Sequence, residues 1–301
     1  MKLRIGAINA ATPTPLNKNG DFDREAAVRL CQRWSDIELD GVLLLGSMGE
    51  GLLLPEQVRT AFVECALAEA GDQLTIFVSA ADRTYEAMRE RALRYASMGA
   101  PCIVLAAPTR VSPREAVDQV LAVAEVCPVP CAYYEVPAVT GVSLNLQEVS
   151  EILSHRNICA LKDSSNNALL AQALTSPEFP RNGLKLLDGI EYRVSYSAAL
   201  GYDGVIHGGG VMTGRGVRCI WAAAKAGETN RAMKLDRLNS LCLGGIYNRF
   251  SGPVQNIAGQ KFALKLMGVF SDERAMVDQP LDEAAHRRIA RVLEENREWL
   301  A

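Results

Sequence analysis

Short, almost continuously apolar runs alternate with longer amphipathic runs along most of this chain. The apolar runs are four to seven residues long, which is typical of parallel strands covered by helices on both faces. They predict strands over residues 4–10, 41–46, 74–80, 102–107, 129–135, 158–162, 184–188 and 204–207. The helical periodicity between them predicts helices over residues 23–39, 55–70, 84–98, 113–126, 145–154, 167–174, 192–200 and 212–226.

Eight strand–helix repeats predict a (β/α)8 TIM barrel. A doubly wound open sheet is the competing fold, but it usually carries a glycine-rich fingerprint after its first strand, and NAATPTP supplies none. After residue 226 the strands stop, and three additional C-terminal helices are predicted over residues 228–243, 254–267 and 281–300. Without a linker-like segment between the two parts, we expect a barrel domain, 1–226, with a helical extension, 227–301, packed on it.

Composition and charge narrow the possible partners. The 301 residues are 49% hydrophobic and 22% charged, which is typical of a globular protein. A net charge of −3 gives no electrostatic case for nucleic-acid binding, and no apolar run is long enough to span a membrane. The N-terminal segment lacks the apolar core of a signal peptide. We therefore expect neither nucleic acid nor a membrane as a partner, and a cytoplasmic location.

The cysteines and histidines argue against a metal centre. The eight cysteines are scattered, mostly within apolar stretches, and form no CxxC pair. Buried free thiols in a reducing compartment fit this distribution better than a zinc site or a disulfide framework. Only three histidines are available, so a histidine-rich metal site is not expected.

One lysine stands where a barrel places its chemistry, at the C-terminal end of a strand. Lys162 ends the sixth apolar run, and Asp163, Ser164 and Ser165 follow as turn and helix-capping residues. Helices wall such a strand, so desolvation should disfavour the ammonium form and make a nucleophilic amine available. Schiff-base chemistry on a carbonyl substrate needs such an amine. The alternative is a lysine that ends a strand and points into water.

Two more strand ends carry candidate chemistry. The second strand runs into Gly46-Ser47-Met48-Gly49, where small residues and successive N–H groups can cradle a carboxylate. The fifth strand ends near Tyr134, whose phenol can exchange protons close to a carbonyl, although an aromatic residue can also simply fill a barrel mouth. Strands five and six are neighbours, so we expect Tyr134 beside Lys162.

With these motifs in place, the chain resembles the family of dihydrodipicolinate synthase and N-acetylneuraminate lyase, the pyruvate-dependent class I aldolases. The matching segments are residues 46–50, 134–137, 140–141 and 161–163, and the resemblance spans essentially the whole chain. It implies a Schiff-base lyase that cleaves or forms an aldol bond to pyruvate or a 2-keto acid, or dehydrates a 2-keto-3-deoxy sugar acid. It implies no metal or organic cofactor, a small-molecule 2-keto acid substrate, and a homotetramer built as a dimer of dimers.

The resemblance also implies roles for individual residues. Lys162 would form the imine, and Tyr134 would shuttle protons. The backbone N–H groups of Ser47 and Met48 would hold the keto acid's carboxylate. The far wall of the site would be shaped by Gly189 and Ile206.

Two departures from the family concern proton relay. Met48 stands where many members have threonine, and Arg110 stands where many have a tyrosine that enters a neighbouring subunit's site. A thioether cannot pass a proton and a guanidinium does not lose one. We hypothesise that Tyr134 works instead with Ser47, water or a substrate hydroxyl. Arg110 would then be a carboxylate clamp for a neighbouring subunit or a plain interface salt bridge.

A third departure concerns the second substrate. Dihydrodipicolinate synthases have an arginine that grips the semialdehyde's carboxylate, and Val139 stands there in this chain. This favours the sugar-acid branch, with Glu191, Tyr192 and Glu135 as candidate partners of substrate hydroxyls. Glu191 could equally be a first-turn acid on a helix dipole. The remaining alternatives are 4-hydroxy-tetrahydrodipicolinate synthase proper and a catalytically inactive keto-acid sensor.

Overall fold

Eight parallel strands close into a barrel, as the repeat pattern predicts. The structure, a computed structural model, describes residues 3–247, 253–276 and 280–300, apart from the side chains of 253–255. Each strand pairs with the next along the chain, and the eighth pairs with the first. The strands are β1 Ile8–Ala11, β2 Gly41–Leu44, β3 Thr75–Ser79, β4 Cys102–Ala106, β5 Cys131–Glu135, β6 Ile158–Asp163, β7 Lys185–Asp188 and β8 Gly204–His207.

Helices follow the strands and form the outer layer. Those of the barrel are α1 Arg24–Asp36, α2 Glu56–Ala70, α3 Tyr85–Ser97, α4 Pro113–Val126, α5 Pro137–Thr140, α6 Leu146–Leu153, α7 Ala168–Thr175, α8 Val194–Leu200 and α9 Gly210–Lys225. The sequence pattern did not predict α5, a single turn that ends at Gly141 with φ +72°. One turn is too short to show a 3.6-residue period.

Strand alternation divides the core into two layers. Alternate residues face the barrel interior, where Tyr134, Leu187 and Ile206 pack with other inward side chains. The residues between them face the helices, and Tyr133 belongs to this larger outer cluster. The same alternation decides which side chains of β5 and β6 reach the mouth of the barrel.

The C-terminal extension packs on the barrel and reaches its mouth. It contains α10 Thr229–Ile246, α11 Pro253–Leu266, α12 Glu283–Glu295 and α13 Arg297–Leu300. The third predicted helix is thus two helices, which Asn296 separates with non-helical backbone angles. On α11, Gln260 Nε2 donates to the carbonyl of Gly208 at 2.5 Å, just beyond β8. Across the described ranges, none of the helices combines the length and apolar character that crossing a membrane requires.

Candidate active site

Lys162 and Tyr134 lie side by side at the C-terminal mouth of the barrel. They occupy paired positions on β6 and β5. Both side chains face inward, and each is only 6% exposed. The Lys162 Nζ lies 4.2 Å from the centre of the Tyr134 ring. A primary amine and a phenol therefore share one poorly solvated space.

The phenol of Tyr134 is tuned by its neighbours. Burial by itself raises the pKa of Tyr134. The charge of Lys162 and hydrogen bonds with Ser47, Ser164 and Lys162 lower the pKa by more than burial raises it, so the net pKa lies below the usual value. A phenol that loses its proton more easily is better suited to accept and return protons near a carbonyl.

Ser164 lies in the candidate site, although its sequence context predicts only a turn or capping role. It follows Lys162 by two positions, so strand alternation turns it toward the same side, where it contacts the Tyr134 phenol. A Cβ on Gly189 would lie 2.0 Å from Ser164 Oγ, so a side chain there would displace the Ser164 hydroxyl from its present position. The Gly189 N–H donates to the Asp163 carbonyl at 2.7 Å, which joins the ends of β6 and β7.

Buried polar groups fix the strand end that carries Lys162. The next residue, Asp163, faces the helices and is fully buried. Its Oδ2 accepts from the Tyr202 hydroxyl at 2.6 Å, and its Oδ1 accepts from the Ser165 N–H at 2.9 Å. These bonds hold the backbone on both sides of the turn, so the lysine is presented from a rigid position.

The loop after β2 brings Ser47 and Met48 to the mouth. The Ser47 side chain forms a hydrogen bond with the Tyr134 phenol. Met48 is half-buried and packs against Gly208. A Cβ added to Gly208 would lie 2.8 Å from the Met48 Cγ. The thioether therefore fills the space between the loops that follow β2 and β8.

A buried ion pair anchors the same loop. Glu50 has φ +55°, an uncommon backbone conformation for a residue with a side chain. Its carboxylate accepts from Lys261 Nζ of α11 and from the Met276 N–H at 2.6 Å. Glu50 is 3% exposed and Lys261 is 0% exposed. The pair ties the C-terminal extension to the loop, a connection that the sequence pattern alone did not indicate.

The opposite wall contains the remaining predicted residues of the mouth. Ile206 is buried in the barrel interior. Glu191, after β7, accepts from the Gly209 N–H at 2.6 Å. Burial raises the pKa of Glu191 to about 7, against the lowering effects of the Gly209 bond and the charge of Lys162. Its carboxyl group therefore changes charge near neutral pH.

Two candidates lie away from this space. Arg110 is exposed in the loop after β4 and has φ +62°. The expectation that Glu135 contacts substrate hydroxyls is wrong, because alternation turns its side chain toward the helices. Glu135 is 1% exposed, and it accepts from the Tyr133 hydroxyl at 2.6 Å and the Leu144 N–H at 3.3 Å.

A buried lysine beside a phenol at the carboxyl end of a closed parallel barrel is typical of the barrel lyases that form Schiff bases with carbonyl substrates. The sequence model of the Dihydrodipicolinate synthetase family matches residues 4–295. The chain therefore belongs to this family and, as the motifs predict, is a class I lyase of it.

Individual relatives agree with this membership. The 4-hydroxy-tetrahydrodipicolinate synthase of Stenotrophomonas maltophilia is 26% identical over 288 residues, which cover 94% of each chain. Two solved structures share the fold. The dihydrodipicolinate synthase of Aquifex aeolicus has a TM-score of 0.88 at 19% identity, covering 98% of this chain and 99% of its own. The YagE protein of Escherichia coli K12, solved in complex with pyruvate, has a TM-score of 0.89 at 20% identity, covering 99% and 100%.

Proposed function

We propose that the chain uses Lys162 to form an imine with pyruvate or another 2-keto acid. The amine adds to the ketone carbon and water leaves. The protonated imine withdraws electrons, so the neighbouring carbon can lose a proton and become an enamine. The enamine then forms an aldol bond, with cleavage as the reverse reaction, or expels the 4-hydroxyl of a 2-keto-3-deoxy sugar acid as water. The observation that carries this proposal is the buried Lys162–Tyr134 pair.

Proton transfer is the proposed role of Tyr134. Its hydrogen bond with Ser47 supports a relay from phenol to hydroxyl, which replaces the threonine and tyrosine relay of other family members. Ser164 would hold the phenol as a further hydrogen-bond partner. Met48 would take no part in proton transfer and would shape the wall instead.

Substrate binding is assigned by the same resemblance. The backbone N–H groups of Ser47 and Met48 would hold the carboxylate, with Gly189 and Ile206 forming the opposite wall. Glu191 would contact a hydroxyl of the substrate, and its pKa of about 7 lets it donate or accept a hydrogen bond near neutral pH. The pyruvate bound to YagE supports a 2-keto acid as the shared substrate.

Exchange of the pyruvate methyl protons in D2O tests this function without knowledge of the second substrate. Enamine formation removes a methyl proton, and deuterium from the solvent takes its place. The methyl signal of pyruvate in proton NMR should therefore decrease with time. We expect Lys162→Arg to abolish the exchange, because a guanidinium does not form the imine. Exchange that continues at the wild-type rate in Lys162→Arg would refute the proposal. Absent exchange in the wild-type protein would favour the inactive sensor.

The alternative within the family is 4-hydroxy-tetrahydrodipicolinate synthase proper, the name carried by the Stenotrophomonas relative. Val139 argues against it, because an aliphatic side chain cannot pair with the carboxylate of aspartate semialdehyde. Consumption of pyruvate with aspartate semialdehyde, at an efficiency well above that with uncharged aldehydes, would establish the alternative.

The assembly and location belong to the same proposal. A homotetramer of tight dimers follows the family resemblance, although one structural relative is described as a monomeric variant. Arg110, exposed on its strained loop, would then face a neighbouring subunit, either as a carboxylate clamp or as an interface ion pair. A cytoplasmic location is supported by the eight cysteines, all of which are free thiols. We retain the division into a barrel, 1–226, and a helical extension, 227–301.

A further inference from the structure

A cavity of about 270 Å³ opens beside Tyr134 and Ser47, at the ends of β2 to β5. It is larger than the apolar cavity of ~150 Å³ that suffices to bind benzene. The Tyr134 phenol and the Ser47 hydroxyl, which we assign to proton transfer, belong to its lining. The cavity is therefore placed to receive the part of a substrate that extends from the reacting carbon.

Most of the surface that lines the cavity is apolar. Leu52, Leu53, Val136, Val139 and Ile257 contribute aliphatic side chains. Leu53 and Val139 are 43% and 42% exposed, so much of this apolar surface is open for contact. Burying such surface against an apolar ligand is favourable.

Two of the polar side chains that line the cavity, Glu50 and Thr140, are engaged within the protein. The carboxylate of Glu50 is paired with Lys261. The Thr140 hydroxyl bonds to the carbonyls of Val136 and Val142, at 3.3 and 3.2 Å. These two groups therefore serve the fold, and a substrate hydroxyl placed against them would meet groups that are already bonded.

Apart from Glu50, the charged residues that line the cavity are Asp82 and Arg83. Asp82 is paired with Arg91 at 2.5 Å, and Arg83 is exposed to solvent. A carboxylate placed beside Val139 would find no cation in that side chain with which to pair. Arg83 is therefore the lining cation that would favour an acidic aldehyde.

We propose that this cavity binds the side chain of an apolar aldehyde, aliphatic or aromatic, as the carbonyl partner of the 2-keto acid. The inference rests on the proposed function of Lys162. The enamine carbon attacks the aldehyde carbon, and the aldehyde oxygen takes up a proton to become a hydroxyl. Water then hydrolyses the imine, which releases a 4-hydroxy-2-keto acid with an apolar tail and restores the amine. Cleavage follows the same steps in reverse.

The experiment measures kcat/KM with saturating pyruvate and a series of aldehydes from acetaldehyde to pentanal, with benzaldehyde, glyceraldehyde and aspartate semialdehyde for comparison. Each added CH2 should raise kcat/KM about fourfold until the cavity is filled, since burying one CH2 is worth ~0.8 kcal/mol. Benzaldehyde should exceed glyceraldehyde.

Two leucine variants test the location. Leu53→Ser should lower kcat/KM for pentanal about tenfold or more and flatten the chain-length dependence, because it removes apolar surface from the lining. Leu241→Ser is the matched control, since Leu241 is a 64% exposed leucine on α10. A chain-length dependence that is equally reduced in both variants, or in neither, would overturn the assignment to this cavity.

The outcomes separate the two proposals. Methyl exchange of pyruvate without any gain along the aldehyde series refutes the apolar subsite and leaves the proposed function intact. A preference for glyceraldehyde or aspartate semialdehyde also refutes the subsite, in the second case in favour of Arg83 as the carboxylate partner. Absence of methyl exchange refutes the proposed function itself.

Discussion

Replacing Glu135 by glutamine should make the protein more stable at alkaline pH. Glu135 is 1% exposed between β5 and the helix layer. Burial raises its pKa from the usual 4.5 to about 7, and hydrogen bonds from Tyr133 and Leu144 only partly offset this effect. The folded state therefore favours the neutral carboxyl, which glutamine imitates in size and hydrogen bonding.

The sign and size of the effect follow from linkage. A carboxyl whose pKa is raised on folding contributes its full stability below the unfolded pKa and loses it as pH rises through the folded pKa. The loss thus falls between pH 4.5 and about 7. At ~1.4 kcal/mol for each pH unit, the wild-type protein should lose about 3 kcal/mol across this window relative to Glu135→Gln.

The assay is the free energy of unfolding from urea titrations between pH 4.5 and 8.5, at one protein concentration because assembly contributes to stability. Glu64→Gln, on the exposed face of α2, is the matched control and should follow the wild-type profile. Parallel pH profiles for wild type and Glu135→Gln would refute the reasoning, because they would show that Glu135 has the same pKa folded and unfolded.

Three further predictions concern the mouth of the barrel. Lys261→Met should lower the free energy of unfolding by about 3–5 kcal/mol, because it leaves the Glu50 carboxylate buried without its cation, and adding Glu50→Gln should recover part of the loss in urea titrations. Tyr134→Phe should slow pyruvate methyl exchange by roughly 10²–10⁴-fold while borohydride still traps the imine; an unchanged exchange rate would remove Tyr134 from proton transfer. Tyr202→Phe should cost roughly 1.5–3 kcal/mol in thermal or urea unfolding, since it removes a buried hydrogen bond to the Asp163 carboxylate, and a neutral effect would contradict that role.

The barrel could be predicted from the sequence because its strands are buried on both faces and its helices show a clear period. Predicted and observed strands coincide for β8 and differ by a few residues at the start of β1, where residues 4–7 lie outside the strand. Terminal residues depend on hydrogen bonds that hydrophobicity does not encode. Strand order predicts that β5 and β6 are neighbours, and the structure pairs positions 134 and 162 on these two strands.

Contacts between distant segments could not be predicted in this way. Lys261 is 211 residues from Glu50, and no periodic signal links a helix in the extension to a loop after β2. The outward orientation of Glu135 could have been predicted from the sequence. Successive side chains of a strand face opposite sides, and an inward Tyr134 requires an outward Glu135. Ser164 could have been found by the same alternation from Lys162.

The identity of the amine that bonds to substrate tests the central claim most directly. The protein also contains Lys261, a buried lysine whose pKa is lowered by burial, against the raising effect of Glu50. Borohydride reduction with pyruvate, followed by peptide mapping by mass spectrometry, distinguishes the two. We predict one reduced pyruvate adduct for each chain, on Lys162. An adduct on Lys261, or an unmodified chain after complete reduction, would contradict the account.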